Sequence, residues 1–228
     1  VFFKALMGDV LLYKDDFAGA DRIYQQVFLM DPSFGRYQLI SLDLSRGKFD
    51  EAIRRSRQVL TDARGGKEAP GAYWLLTAAL EKRGRYDEAS LVWVQYLQDS
   101  ATLRKSELDA PRPYLPSEQL SDLFIRGRIQ AEMKSFDEAQ QTANELKSLG
   151  EKSIDPRDLR YYEYVQGLVE LEKKNPRQAA SLFARACQRL RFETILWEES
   201  RDHPLYFEGL ARAYYESGEL DKARLEFE

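Results

Sequence analysis

The chain has 228 residues, 43% of them hydrophobic and 32% charged, and a formal net charge of −4, a balance typical of a folded protein rather than a disordered one. The weakly acidic charge and the lack of a basic stripe disfavour nucleic-acid binding, and no apolar run reaches the about 18 residues expected of a membrane-spanning helix. A single cysteine, Cys187, excludes an intramolecular disulfide.

One six-residue pattern recurs along the chain and predicts the turn between two helices. Its copies occupy 47–52 (GKFDEA), 84–89 (GRYDEA), 134–139 (KSFDEA) and 218–223 (GELDKA). A leading glycine favours the positive φ that follows a helix end, and the acidic residues after it suit the positive end of the next helix dipole. The closing alanine is small enough for two helices to approach closely. A helix–turn–helix unit repeated in this way predicts an α-solenoid.

The first repeat shows both helices of this unit. Small and apolar residues at helical spacing indicate each helix, and the second ends before a proline, which cannot continue it. The residues concerned are Phe2, Leu6, Gly8 and Leu11 in the first helix, then Phe17, Ala20, Tyr24 and Val27 in the second, and Pro32. Because Gly8, Ala20, Tyr24 and Pro32 match positions of the 34-residue tetratricopeptide repeat pattern, this stretch resembles that family.

The resemblance extends over nearly the whole chain and implies six repeats, at about residues 1–32, 33–66, 70–98, 117–150, 156–200 and 203–228. It is strongest in repeats three and six. It is weakest in repeat two, where Ile40 and Asp43 replace the family's small residue and aromatic, and in repeat four Gln130 replaces the aromatic. The fold implied is an all-α, right-handed α-solenoid, one superhelical domain over 1–228 whose last repeat is truncated.

Two spacings between repeats exceed the regular period. The small alanine of the second helix recurs at 20, 52, 89, 139, 179 and 223, so the gaps are 32, 37, 50, 40 and 44 residues. The gap of 50 contains 98–117 with three prolines, which predicts an irregular insertion between repeats three and four, held in place by Tyr114 or Leu115. In the gap of 44, good helix formers predict that the second helix of repeat five runs about three turns further, to Asp202-His203-Pro204.

Catalytic and metal-binding patterns are weak in this sequence. A Ser-His-Asp or Cys-His arrangement would need His203, the only histidine, which precedes a proline in a predicted connector and has no oxyanion loop nearby. One histidine and one cysteine are too few for a structural zinc site, and Gly65-Gly66 is a lone pair rather than a phosphate-binding run. We therefore expect no enzymatic activity, no cofactor and no metal. Cys187 is expected to be a core residue.

The resemblance also implies where a partner binds. In that family, side chains of the first helices line the concave surface of the solenoid, and aromatic residues are favoured binding anchors. The predicted groove residues are Phe34, Tyr37, Trp74, Glu81, Phe124, Arg128, Tyr161, Tyr164, Arg212 and Tyr215. The alternative is that irregular packing buries several of these aromatics. Chaperone-binding members of the family use Lys and Asn at these positions to bind a C-terminal carboxylate. This chain has neither residue at the matching positions.

These patterns favour a protein–protein interaction scaffold or adaptor that binds a peptide or helix in an aromatic-lined groove. A sensory or regulatory module of a larger bacterial signalling protein, linked to a kinase, cyclase or transcription-factor effector, is the alternative. A third hypothesis, an enzyme on a solenoid scaffold, predicts perturbed carboxylates in a cleft. Because the chain begins inside an apolar run and stops shortly after a helix start, we interpret it as a segment of a longer protein.

Overall fold

The computed structural model describes residues 1–63, 69–106, 114–190 and 199–227, and the secondary structure of these residues is entirely helical. Twelve α-helices follow one another in this part of the chain. They are α1 (Phe2–Tyr13), α2 (Phe17–Met30), α3 (Pro32–Ser45), α4 (Phe49–Ala63), α5 (Ala69–Lys82), α6 (Tyr86–Ser106), α7 (Pro116–Glu132), α8 (Phe136–Lys152), α9 (Leu159–Glu172), α10 (Pro176–Gln188), α11 (Glu199–Glu216) and α12 (Leu220–Phe227). A single 3₁₀ turn, Pro156–Asp158, precedes α9.

Consecutive helices pair into six hairpins, one for each predicted repeat, which confirms the all-helical repeat fold. The main packing contacts join helices that are adjacent in sequence, and first helices of successive hairpins also touch, as in α1 with α3 and α7 with α9. A helix-pair unit that buries its apolar face mainly against its neighbours is the defining property of an α-solenoid.

The chain divides into two compact segments. The N-terminal segment, Val1–Arg112, contains α1 to α6, and the C-terminal segment, Pro113–Glu228, contains α7 to α12. The expectation of one domain over 1–228 stays a prediction. No helix in the described part of the chain is long and apolar enough to cross a membrane.

In the first and fifth hairpins, a glycine of the first helix packs against an aromatic ring of the second helix. A Cβ atom on Gly8 of α1 would lie 2.3 Å from Cε1 of Tyr24 in α2, and one on Gly167 of α9 would lie 2.8 Å from Cε1 of Phe183 in α10. Only a glycine admits such contact between a ring and a helix backbone. The six alanines that mark the second helices are all buried, as their spacing predicted; they are Ala20, Ala52, Ala89, Ala139, Ala179 and Ala223.

The same turn joins the two helices of every hairpin. One residue in it has a positive φ of 57° to 82°, and this residue is five positions before the marker alanine in all six repeats: Asp15, Gly47, Gly84, Lys134, Lys174 and Gly218. The next backbone N–H bonds back five residues, for example Arg85 to the Leu80 carbonyl at 2.9 Å. This pattern satisfies the last carbonyls of the first helix and reverses the chain.

The left-handed turn residues predict a pair of opposite stability changes. Lys134→Gly should raise the free energy of unfolding by about 0.5–1 kcal/mol. Glycine removes the cost of about 1–2 kcal/mol that a side chain has in the left-handed region. Part of this gain is lost because glycine makes the unfolded chain more flexible. Gly84→Lys should lower the free energy of unfolding by about 1–2 kcal/mol for the same reason. No atom lies within 4 Å of a Cβ at Gly84, so the cost there comes from the backbone alone. Urea unfolding of both variants measures the two shifts, and shifts of the same sign would contradict the argument.

The predicted irregular insertion at 98–117 is wrong over its first half. Helix α6 continues to Ser106, because the residues from 98 to 106 include no proline or glycine and Ser100 is buried. Pro111 and Pro113 lie outside the described residues, and Pro116 opens α7, where its missing N–H is not needed. The Tyr114 hydroxyl donates to the buried Asp122 carboxylate, so the expected tether by Tyr114 is present.

The predicted long second helix of repeat five is also wrong. Helix α10 ends at Gln188, where the N–H groups of Arg189 and Leu190 bond back only three residues in a tightened last turn. Arg189 is then held by Glu163 at 2.8 Å and by the Pro156 carbonyl at 2.9 Å, contacts that fix the chain where the helix stops. The residues from 191 to 198 lie outside the described part. Pro204 does not end a helix but lies inside α11.

Candidate functional site

In the N-terminal segment, the predicted groove residue Trp74 belongs to an aromatic cluster between α5 and α6. Its ring meets Trp93 edge-on at 5.3 Å between centroids and Tyr96 at 6.4 Å. Trp93 is 2% exposed, whereas Trp74 is half-buried. Such edge-to-face pairs contribute about 0.5–1.5 kcal/mol beyond the apolar area they bury. Trp74 therefore both packs against the hairpin and presents part of its ring at the surface.

The other predicted groove residues of this segment are also half-buried. Tyr37 of α3 lies against α5, since a Cβ on Gly71 would be 3.0 Å from its Cε1. Phe34 stands in the first turn of α3, whose N-terminus is capped by Asp31 through a 3.0 Å bond to the Phe34 N–H. Glu81 lies near the end of α5. The predicted groove residues of α3 and α5 are thus only partly exposed, whereas Phe3 and Tyr13 of α1 are 82% and 79% exposed.

In the C-terminal segment, two predicted groove aromatics are core residues, so their assignment to an exposed surface is wrong. Phe124 is 2% and Tyr164 is 3% exposed. The ring of Phe124 lies parallel to that of Tyr206 at 5.9 Å and meets Tyr164 at 5.5 Å, and Tyr164 meets Phe183 at 5.1 Å. The cause is that Tyr206 of α11 reaches across to α7 and covers both rings. Burial raises the pKa of the Tyr164 phenol well above its ordinary value.

Charged residues from all three first helices lie around the Tyr164 end of this aromatic core, and we call them the ionic face. They are Arg128 and Glu132 of α7, Glu172 of α9, Glu208 and Arg212 of α11, and Lys134 of the turn after α7. The Arg212 guanidinium contacts Glu132 at 3.1 Å and Glu172 at 3.5 Å. The Arg128 guanidinium lies 5.2 Å from the Phe124 ring centroid, within reach of a cation–π interaction.

Two carboxylates of the ionic face, Glu132 and Glu172, were not among the predicted groove residues. Their side chains are 17% and 12% exposed, and they are the anionic partners of Arg212. A signal for Glu132 was in the sequence: Glu132 follows Arg128 by four residues on the same helix, and residues at that spacing share a face.

The remaining predicted groove residues, Tyr161 and Tyr215, differ in exposure. Tyr161 is half-buried against Phe124 at 5.0 Å and accepts a 2.7 Å hydrogen bond from Arg160. Tyr215 is 65% exposed and stands three residues after Arg212 on α11. Tyr215 is thus the predicted aromatic that offers the most surface to a partner.

Of the two candidates for chemistry, Cys187 and His203, the structure describes only the side chain of Cys187. Cys187 is partly buried and packs against the C-terminal core, as expected, and burial raises the pKa of its thiol to about 12. Its thiolate is therefore scarce at neutral pH. The side chain of His203 lies outside the described residues. Within the described ranges, no cluster of three or more histidine, cysteine, aspartate or glutamate side chains is placed to hold a metal ion.

Comparison of the sequence with family profiles finds the tetratricopeptide repeat at residues 37–99 and 164–228, together more than half of the chain. The chain belongs to the tetratricopeptide repeat family. The matched stretches include the predicted repeats three and six, where the resemblance is strongest. Among curated protein sequences, none matches the chain at a significant level.

Two solved structures share the fold of this tetratricopeptide repeat protein. One is BtubC (BKLC) from P. vanneervenii, with a TM-score of 0.51 and 16% identity over 98% of this chain and 86% of that one. The other is a tetratricopeptide repeat protein from Parabacteroides merdae, with a TM-score of 0.53 and 14% identity over 98% of this chain and 75% of that one. Likeness at such low identity shows the fold alone.

Membership of the family sets the general class of function. Tetratricopeptide repeats are protein–protein interaction modules, and proteins of this family are generally non-enzymatic scaffolds. The identity of the partner depends on the exposed side chains of this particular chain.

Proposed function

We propose that the chain is a scaffold or adaptor segment that binds a helix or peptide of a partner protein on the first-helix faces of its repeats. The observation that carries this proposal is the arrangement on α11, where Tyr215 is 65% exposed beside Arg212 of the ionic face. An aromatic ring beside an arginine is the combination most enriched among binding hot spots. Catalysis forms no part of this proposal, and neither does a nucleic-acid partner, given the net charge of −4.

The charges of the ionic face favour a partner surface that carries both acidic and basic side chains. Arg212 and Lys134 provide positive charge, and Glu132 and Glu172 provide negative charge within 4 Å of them. A partner surface with alternating acidic and basic residues would exchange these intramolecular pairs for intermolecular ones. Electrostatic complementarity of this kind contributes more to specificity and association rate than to affinity.

A photocrosslinking experiment tests the proposed face. A benzoylphenylalanine replaces Tyr215 in the full-length protein in its source organism, and a matched copy carries it at Leu91, which is 71% exposed on the second helix of repeat three. We expect a covalent adduct with a partner polypeptide from position 215 only. Adducts from position 91 alone, or from both positions equally, would contradict the proposed face.

Substitution of the same residue gives the quantitative prediction. Tyr215→Ala should weaken binding of the crosslinked partner by about tenfold or more, the effect of losing an aromatic anchor. The thermal midpoint should stay unchanged, because an exposed side chain contributes little to folding. Trp74 is a less decisive position to test. Because its ring contacts Trp93, its substitution would lower the stability of the fold as well as the affinity for a partner.

A further inference from the structure

A pocket of about 420 Å³ lies on the second-helix side of the C-terminal segment, away from the ionic face. It is bounded by α8 and α10, with side chains of α9 between them. Its lining is Gln140, Tyr162, Gln166, Gln178, Ser181, Leu182 and Arg185. The volume falls in the range of roughly 300–1,000 Å³ that is usual for ligand sites.

Hydrogen-bonded carboxamides form one wall of this pocket. The Gln140 amide donates to the Gln166 carbonyl oxygen at 2.8 Å, and the Gln166 amide donates in turn to Glu170 at 3.3 Å. Gln140 also donates to Asn144 at 3.4 Å. These bonds use both N–H groups of Gln140, so that its carbonyl oxygen is the group through which it can bind a ligand.

The amides replace residues that are apolar or ion-paired in the other repeats. Counted from the marker alanine, Gln166 occupies the position of Leu39, Leu76 and Leu210, which are 7%, 1% and 5% exposed. A leucine there fills the hairpin core, whereas a polar side chain costs stability unless it is hydrogen-bonded. Repeat five therefore has an amide side chain, Gln166, at the pocket wall where repeats two, three and six have a buried leucine.

A second replacement opens the space between α8 and α10. In the N-terminal segment, Arg57 of α4 and Glu88 of α6 form an ion pair at 2.8 Å between two consecutive second helices. The same repeat positions in the C-terminal segment hold Asn144 and Gln178. Within the described residues, the Gln178 side chain makes no hydrogen bond to the protein, so the ion pair that joins α4 to α6 has no counterpart here.

Positive charge is concentrated at one end of the pocket. Arg185 and Arg189 both contact the buried Glu163 carboxylate, at 3.3 and 2.8 Å, so two guanidinium groups share one carboxylate. Arg185 also donates to the Ser181 hydroxyl at 3.1 Å and stays half exposed. A guanidinium in this position has N–H groups left to bind another carboxylate.

We propose that this pocket binds an extended peptide segment that carries an acidic side chain. The Gln178 side-chain amide offers N–H donors and a carbonyl acceptor, and Gln140, whose N–H groups are used within the protein, offers its carbonyl oxygen. Together they match the alternating N–H and C=O groups of an extended peptide backbone. Arg185 matches the acidic side chain by charge. A sugar is the less suitable ligand, because the Lys147 ammonium group occupies a face of the Tyr162 ring at 5.7 Å. This site is separate from the one proposed on the first-helix face.

Peptide display with a matched counter-selection tests the proposal. A random heptapeptide phage library is selected on the immobilised chain and, in parallel, on the Gln166→Leu variant, which carries the leucine of repeats two, three and six. We expect peptides with at least one acidic residue to be enriched on the unmodified chain. Their synthetic copies should bind Gln166→Leu about tenfold more weakly or worse, because Gln166 no longer holds the Gln140 carboxamide in its position and the leucine fills the pocket wall.

Three controls separate the possible outcomes. Arg185→Gln should weaken the acidic peptides by a similar factor, whereas Arg54→Gln, at an exposed arginine of α4, and Tyr215→Ala should leave their binding unchanged. The thermal midpoint of Gln166→Leu should equal or exceed that of the unmodified chain, which shows that the variant folds. Three outcomes would overturn the proposal. The selected peptides could bind Gln166→Leu as tightly as the unmodified chain, or the selection could enrich no peptide. The chain could also bind a glycan array and lose that binding in Gln166→Leu, without binding any peptide. Peptides whose binding is lost only in Tyr215→Ala would support the first-helix face and overturn this pocket.

Discussion

Replacing Phe124 with alanine is expected to lower the free energy of unfolding by about 3–5 kcal/mol, the cost of removing a buried ring and leaving a cavity. The ring is 2% exposed and contacts three other aromatics, Tyr161, Tyr164 and Tyr206, at 5.0, 5.5 and 5.9 Å. These contacts join α7, α9 and α11, so the loss should loosen all three hairpins of the C-terminal segment. Urea unfolding followed by tyrosine fluorescence and circular dichroism measures the change.

Tyr215→Ala is the matched control for this prediction. It also removes an aromatic ring from a first helix, but from a side chain that is 65% exposed. Its free energy of unfolding should change by no more than about 0.5 kcal/mol, as for most surface substitutions. If the two variants unfold at the same urea concentration, Phe124 is not the core residue described here.

Replacing Gly35 with alanine is the second large expected effect. A Cβ at this position would lie 2.3 Å from Cα and 2.5 Å from the backbone nitrogen of Phe28. Backbone atoms cannot rotate away as a side chain can, so α2 and α3 must separate to admit the methyl group. Overpacking of this kind costs about 1–3 kcal/mol. Thermal unfolding should show a lowered midpoint.

Gly71→Ala is a control of the same chemical change one repeat later. Its Cβ would lie 3.0 Å from the ring of Tyr37, a side chain rather than backbone, and Gly71 is exposed. Alanine is more favourable than glycine within a helix by about 1 kcal/mol. The Gly71 variant should therefore be as stable as the unmodified chain or more stable. A Gly35 variant that is equally stable would show that α2 and α3 pack less closely than described.

The repeat architecture was predictable because each hairpin carries its own signals. The turn pattern, the small residue of the first helix and the marker alanine act over a few residues, and the structure shows all of them in use, as at Gly84 and Ala89. Local signals of this kind survive in a single sequence because they depend on backbone geometry and close helix contact.

The candidate site was only partly predictable, since exposure on a first helix depends on neighbours from other repeats. Phe124 and Trp74 occupy the same repeat position, yet Phe124 is buried because Tyr206 reaches it from α11. No pattern within 116–132 indicates that contact. Arg128, Arg212 and Tyr215 remain at the surface because a guanidinium and a phenol keep their polar ends near water.

The two helix ends that were wrongly predicted have different causes. Helix α10 stops at Gln188 where Arg189 meets Glu163 of α9, and α6 continues to Ser106 past the expected loop start. Intrinsic propensity indicates where a helix can continue, whereas tertiary contacts decide where it stops.

The stacking of Phe124 on Tyr206 has a consequence for synthesis on the ribosome. Most hairpins can close as soon as their two helices have emerged, but Tyr206 follows Phe124 by 82 positions. At a synthesis rate of roughly 5–20 residues per second, about 4–16 seconds pass between the synthesis of Phe124 and that of Tyr206, whose ring covers it. During that interval α7 presents an apolar surface to the factors that handle the nascent chain. Slow translation between these two positions would lengthen the exposure and favour aggregation or chaperone binding.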